Sequence, residues 1–369
     1  MKRIFVVSLV LLGLCCVSAA GHSVSLQLMR GFPHTEKGYA QGVSACFAGA
    51  VGHRLVMAGG CNFPDVPAKE GGKKRFYKGI YMAVEKQPDS LQWRRIGQLP
   101  VEAAYGVSVQ WKNRLIFIGG CNSGGSLQSV WQVAVRNNKA VVTECPSLPC
   151  PLDNMAGCLV GHYIYVAGGN STRNVVFRLN LKAVRRGWET LSPYPGAQRM
   201  QPVAGAWGTK GFALWGGFAP RTPEKQASLS MDGLAWNSDK QAWSRPTGPC
   251  DENGNEIFLG GAGAVQLANG RLVVAGGVNK TIFLQALNAP QPDYMGHEPA
   301  WYRFNSRILL HDGQAWRVLT DCADAARAGC SLVRMGHTIY IIGGELKPGV
   351  RTPTVLKMRM HAGKTGVNN

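Results

Sequence analysis

The stretch Arg114-Leu-Ile-Phe-Ile-Gly-Gly (114–120) decides the fold. A basic residue opens an apolar run, and two glycines close it. A short apolar run bounded by turn residues reads as a buried strand. Paired glycines let the backbone leave that strand with positive φ and come close to its neighbours. The same pattern recurs as RLVMAGG (54–60), YIYVAGG (163–169), GFALWGG (211–217), RLVVAGG (271–277) and TIYIIGG (338–344). The six pairs stand 48 to 67 residues apart, close to the roughly 50-residue period of one known class of four-stranded repeat. Gly71-Gly72 and Gly124-Gly125 lack a preceding strand and read as loop glycines.

Working outward from each pair, every unit has one plan. A first strand of small apolar residues precedes it: 43–49, 106–110, 156–160, 203–207, 263–267 and 330–334. A third, bulkier strand follows, as at 80–84, 129–135, 175–180 and 307–311. A short fourth strand carries Trp93, Trp188, Trp243 or Trp316. A four-stranded unit cannot bury both faces alone, whereas radial stacking buries them and keeps the edges short. The expected fold is all-β: a six-bladed kelch-type β-propeller. The last unit shows three strands and then stops, while the alternating segment SVSLQLM (23–29) has no unit of its own. This N-terminal strand is expected to close the last blade.

The segment 1–20 reads as a signal peptide, with a basic head (Lys2, Arg3), an apolar run from Ile4 to Val17 and small residues at 18–20. Residues 21–369 are then expected to form a single propeller domain, periplasmic or otherwise exported. Lipoprotein anchoring is disfavoured because Leu14 and Cys15 occupy the place a small residue would take. No other stretch is long and apolar enough to span a bilayer. Nine cysteines lie outside the leader, without tight CxxC pairs, which argues against a zinc or iron–sulfur site. Cys145 and Cys150 are candidates to pair across a turn. The net charge of +19 is scattered rather than striped, which disfavours nucleic acid and favours attraction of anionic small molecules. Homo-oligomerisation is left open.

Propeller sites lie on loops at one mouth of the central channel, and the richest such loop is 343–352. Glu345 follows its glycine pair directly, and Arg351 follows a Pro348-Gly349 turn that can bring the two together. A carboxylate beside a guanidinium can move a proton and grip an anionic ligand. A surface ion pair is the alternative. Asn62, Asn122, Asn170 and Asn279 follow other glycine pairs and could form a polar collar for a sugar, or simply stabilise their turns. Arg199 and Arg221 are further cationic candidates. The eight histidines lack metal-ligand spacing.

Three segments resemble the N-acetylneuraminate epimerase family, the sialic acid mutarotases built on kelch propellers. They are GGELKPGVRT (343–352), AAYGVSVQWKNRLIFIGG (103–120) and RLVVAGGVNKTIF (271–283), the last followed by an insertion at 284–306. Their order along the chain resembles a cyclically permuted branch of that family. The resemblance implies interconversion of the α and β anomers of N-acetylneuraminate by acid–base ring opening and closure, without metal or organic cofactor. It implies Glu345 as the acid–base group and Arg351 as the support for the sugar carboxylate or the reacting oxygens. Another acidic sugar as substrate, or a non-catalytic glycan- or protein-binding propeller, are the competing readings.

Overall fold

The computed structural model describes residues 17–19 and 22–362. Six antiparallel sheets of four or five strands follow one another along the chain. The first blade comprises Phe47–Val51, Arg54–Ala58, Gly79–Gln87 and Ser90–Gln98. The next four repeat this simple up-and-down order, starting at Val107, Met155, Val203 and Ala262. The sequence thus locates each innermost strand to within a few residues. The four tryptophans named above all lie on fourth strands.

The sixth blade is shared between the two ends of the chain. Ser331–Met335, Thr338–Ile342 and Val355–Ala362 supply three strands, and His22–Met29 is the fourth. Its register runs from His22 opposite Ala362 to Met29 opposite Val355. The alternation read at 23–29 therefore does close the ring. Val17–Ala19 pairs outside His22–Met29 as a fifth, edge strand. The rest of the expected leader, residues 1–16 and 20, lies outside the described residues, and the four-stranded blade is complete without it. A polar latch joins the seam to the first blade: Lys357, almost fully buried, pairs with Glu85, which also accepts from Tyr340 Oη at 3.0 Å.

The core lies between blades. Phe47, Val56 and Ile80 of the first blade pack with Leu115, Phe117 and Trp131 of the second, all at most 3% exposed. Comparable clusters fill the other gaps. At roughly 25 cal/mol per Å² of apolar surface removed from water, these layers supply the main driving force.

The glycine pairs have a physical cause. The second glycine's N–H crosses to the next blade: Gly60 to Ala103 O (2.9 Å), Gly120 to Leu152 O (2.9 Å), Gly169 to Arg199 O (2.7 Å), Gly277 to Arg327 O (2.9 Å) and Gly344 to Val43 O (2.9 Å). Gly343 has φ +60°, and a Cβ there would stand 2.4 Å from Val43 O in the next blade. A side chain fits neither the conformation nor the space. Gly343→Ala is therefore expected to cost about 2 kcal/mol or more of stability. Thermal or urea denaturation checks this, and an unchanged midpoint would remove the glycine-clamp account.

Candidate functional site

Two residues beyond the carbonyl that five of the glycine pairs clamp, and at the matching place in the fifth blade, the chain turns into the left-handed region. The six equivalent residues are Ala45, Tyr105, Asn154, Gln201, Gly261 and Gly329, with φ between 53° and 70°. Each donates its backbone N–H to the carbonyl of the equivalent residue in the preceding blade. The distances in turn are 2.7, 3.0, 2.9, 2.7, 3.2 and 2.7 Å, with Ala45 donating back to Gly329. The result is a closed collar of backbone hydrogen bonds around the channel mouth. All six residues line a cavity of about 350 Å³, and Glu345 opens onto it.

The residue just before each collar position pairs with the residue just after a glycine pair. Ser44 meets Cys61, Ala104 meets Cys121, Met200 meets Phe218 and Ala328 meets Glu345. Asn170 N donates to Asp153 O, and Val278 N to Gly260 O, completing the set. One structural slot thus holds Cys, Cys, Asn, Phe, Val and Glu. The scaffold accepts thiol, amide, aromatic and aliphatic groups there, so nothing in the fold demands the carboxylate of Glu345.

Glu345 and Arg351 face each other across the small hairpin of Glu345–Lys347 and Val350–Arg351. Arg351 Nη1 lies 2.5 Å from Glu345 Oε2. The contact is a buried ion pair, with Nη1 itself closed off from solvent. Arg351 Nε donates to Ser44 Oγ at 3.0 Å, and its guanidinium lies 5.0 Å from the centre of the Phe63 ring. The Arg351 side chain is 3% exposed. That of Glu345 keeps 22% open towards the cavity and is enclosed by protein elsewhere. Burial raises the Glu345 carboxyl above its ordinary range and outweighs the opposing pull of Arg351 and Lys74. Burial acts against the Arg351 charge, but Glu345 and Tyr105 more than restore it, and it titrates above its usual value.

Two residues not singled out from the sequence complete this side. Tyr105 Oη accepts from Lys74 Nζ at 3.3 Å, and the ammonium stands 5.0 Å from the Tyr105 ring centre. Burial pushes the Tyr105 phenol well above its ordinary range. A signal for Tyr105 was present: aligned on the glycine pairs, it occupies the slot that Gly261 and Gly329 fill in other blades. Lys74 sits in a long loop with no periodic marker.

Asn154 and Gln201 line another part of the cavity and belong to a longer polar chain. Gln201 Nε2 donates to Asn154 Oδ1 (2.9 Å), and Asn154 Nδ2 to Asp153 Oδ1 (2.5 Å). Asp153 Oδ2 accepts from Ser126 Oγ (2.5 Å) and Asn170 Nδ2 (3.1 Å). A third wall is apolar. Helix α1 (Lys280–Asn288) lays Phe283 edge-on to Phe218, with ring centres 5.1 Å apart, and Val278 and Leu287 continue that face.

Of the two roles open to the asparagines, three of the four take the local one. Asn62 is buried, donates to Gly38 O and Gly42 O and accepts from Tyr77 Oη. Asn122 braces its own turn through Gly124 N and Glu102 O. Asn279 caps α1, accepting from Thr281 N and Ile282 N. Asn170 alone joins the polar chain, through Asp153 and Ser126. Arg199 is buried away from the mouth, with Nη2 2.5 Å from Asp232 Oδ1 and Nη1 donating to Gly216 O. It does for the fourth blade what Arg327 does for the sixth by donating to Gly343 O. Arg221 ties its loop to α1 through Asn288 O. Cys145 and Cys150 are free thiols.

This arrangement can be set beside known proteins. The N-acetylneuraminate epimerase of Vibrio cholerae is 27% identical over 232 residues, 58% of each chain. That of Brucella melitensis is 27% identical over 237 residues, 59% of each. The chain thus spans under three fifths of the length of these relatives. The solved structure of YjhT overlays with a TM-score of 0.59, 13% identity and coverage of 88% of this chain and 96% of that one, a likeness of fold. The sequence profile described as N-acetylneuraminate epimerase matches residues 17–142 and 145–368, which takes in every blade, the collar and the Glu345 hairpin. With nearly the whole ring matched in this way, the chain belongs to the N-acetylneuraminate epimerase family.

Proposed function

We propose that this protein is a mutarotase that interconverts the α and β anomers of N-acetylneuraminate. The observation that carries the proposal is the Glu345–Arg351 pair, set in a slot where the scaffold requires no charge and opening onto a cavity at the channel mouth. Its volume of about 350 Å³ falls within the 300–1,000 Å³ typical of small-ligand pockets. The amides of Asn154 and Gln201 suit hydroxyls, the field of the buried Arg351 charge behind Glu345 suits a carboxylate, and the apolar face of α1 suits one apolar branch such as an acyl methyl. An N-acylated acidic sugar has all three.

The chemistry needs a proton removed from the anomeric hydroxyl and one delivered to the ring oxygen, then the reverse on the other face. Ionised Glu345 is the base. Its enclosed setting makes it more basic than an exposed carboxylate, which strengthens its pull on a hydroxyl proton. Arg351 retains its charge throughout and, buried against Glu345, steadies negative charge on the carboxylates and the reacting oxygens through its field.

We also propose that the chain is exported, on the strength of the basic head and apolar run at 1–17, and that it is a cyclic permutation of its relatives. The profile matches it in two adjoining stretches, whereas each single alignment to a relative covers under three fifths. Moving the termini to another blade produces that pattern.

Glu345→Gln is expected to lower catalysed anomer exchange to the buffer rate while the protein stays folded. Time-resolved proton NMR on freshly dissolved α-anomer measures this. Wild-type exchange no faster than buffer across several acidic sugars would end the mutarotase reading. Because the base must be ionised and burial raises its pKa, kcat/KM is expected to climb with pH through a limb above the ordinary carboxylate value of 4.5. Stability should follow the opposite course. A carboxyl whose folded pKa is raised stabilises the fold below its unfolded pKa, and that contribution fades as pH rises through the folded one. Glu345→Gln should therefore gain stability relative to wild type between pH 4 and pH 7, as read from melting temperatures at the two pH values. An equal difference at both would contradict the raised pKa.

A further inference from the structure

We propose that Tyr105 is the second proton carrier of this site: its phenol protonates the sugar ring oxygen while Glu345 takes the proton of the anomeric hydroxyl. The inference rests on the mutarotase reading and supplies the half of the reaction that Glu345 and Arg351 leave unassigned.

Three observations carry it. The first is backbone strain. Tyr105 sits at φ +60° in the collar, where glycine stands in two of the other five blades and no other aromatic residue occurs. A bulky side chain held there costs on the order of 1–3 kcal/mol, and such residues concentrate at functional sites. The collar requires only the backbone N–H and carbonyl of this residue, so the scaffold gains nothing from the phenol.

The second is position. Tyr105 lines the same cavity as Glu345 and is near enough to Glu345 and Arg351 for both charges to act on its hydroxyl. The hydroxyl already accepts from Lys74 Nζ. The ammonium thus fixes the phenol's orientation and steadies the phenolate left when its proton departs.

The third is chemical necessity. Arg351 cannot serve as the acid, because a guanidinium does not release its proton in the working pH range. The thiols of Cys46 and Cys330 line the same cavity, but both are buried and already engaged, Cys46 with Ser331 Oγ and Cys330 with Ala275 O. With its pKa held well above the ordinary range, the half-buried Tyr105 phenol remains protonated at neutral pH and is therefore a loaded donor.

The step balances. Glu345 carboxylate takes the anomeric O–H proton, and the oxygen's electron pair forms the carbonyl. The bond from the anomeric carbon to the ring oxygen breaks, its pair goes to that oxygen, and the oxygen takes the phenolic proton. After the carbonyl turns its other face, the sugar hydroxyl attacks it and returns its proton to the Tyr105 phenolate. Protonated Glu345 then protonates the new anomeric oxygen, and both residues are restored.

The test compares wild type, Tyr105→Phe and Tyr105→Asn by NMR exchange measurements on N-acetylneuraminate, with melting temperatures in parallel. Tyr105→Phe keeps the ring and removes one hydroxyl. Tyr105→Asn keeps a left-handed backbone at low cost, so a loss shared by both variants does not come from a disturbed collar. The expected result is a fall in kcat of about 100-fold or more in both, with KM for Tyr105→Phe within about threefold of wild type. An active wild type with Tyr105→Phe at full kcat would overturn the role of Tyr105 and leave the mutarotase reading intact. A loss confined to KM would also overturn it, because it would make Tyr105 a binding residue alone. An inactive wild type would remove the mutarotase reading, and this inference with it.

Discussion

Six backbone amides, one per blade, each donate to the carbonyl of the blade before, and the sixth link closes on the first. The link requires φ near +60° at every collar residue, a conformation that costs a non-glycine residue about 1–2 kcal/mol. A hydrogen bond contributes a net of roughly 1 kcal/mol, so no single link accounts for the geometry. The requirement is collective. An unpaired amide at the crowded channel mouth would leave a buried donor unsatisfied, and each blade can satisfy its own only by meeting its neighbour in this register. Five of the glycine pairs serve the same end from the other side, since their second N–H fixes the segment that leads into the next collar residue.

This backbone rule separates what the scaffold needs from what the side chains add. Collar positions need a backbone conformation, and the slots after the glycine pairs need one strand-like pairing. Neither specifies a side chain. The side chains found there are accordingly unequal around the ring. Tyr105, Asn154 and Gln201 crowd one half of the mouth, while Ala45, Gly261 and Gly329 leave the other half open beside Glu345. Helix α1 and the segment after it cover part of that opening. They are tied to the fourth blade through Arg221 and Asn288 and to the Glu345 hairpin through Lys347, which donates to His297 O. A symmetric ring thereby acquires a cavity with chemically different walls.

The fold was legible because its signal is local and repeated. An apolar run ending in two glycines records a strand and a clamp in seven consecutive residues. Ring closure was legible for a similar reason, since an unassigned alternating strand at one end answered a missing strand at the other. Glu345 and Arg351 were legible because one hairpin holds both. The rest of the site was not, because it is assembled across blades. Tyr105 comes within reach of Glu345 only through closure of the ring, 240 positions away along the chain. Lys74 comes from a loop of the first blade. The asparagines mostly take the turn role left open for them, for a physical reason: their side chains mimic backbone groups, so after a glycine turn they satisfy the turn first. Arg199 misled, since a charge in a loop sequence does not reveal that it is buried against the carbonyls of a glycine pair.

The position of Glu345 in the ring ties the site to the seam. The hairpin that carries it leaves the Thr338–Ile342 strand and returns as Val355–Ala362, the strand against which the N-terminal His22–Met29 is zipped. Arg351 reaches out of this blade to Ser44, and Gly344 to Val43, both at the start of the first blade. Lys357, within the returning strand, pairs with Glu85 of the first blade. The Glu345–Arg351 pair is therefore held in the one blade that is closed by hydrogen bonds and packing between strands from the two ends of the chain, rather than by chain continuity. Chain ends ordinarily fray first. Here, loosening of the end strands would also displace Ser44 from Arg351 and open the collar between Gly329 and Ala45. The same contacts that complete the fold thus set the geometry of the carboxylate, and the buried latch at Lys357 stabilises the site as much as the seam.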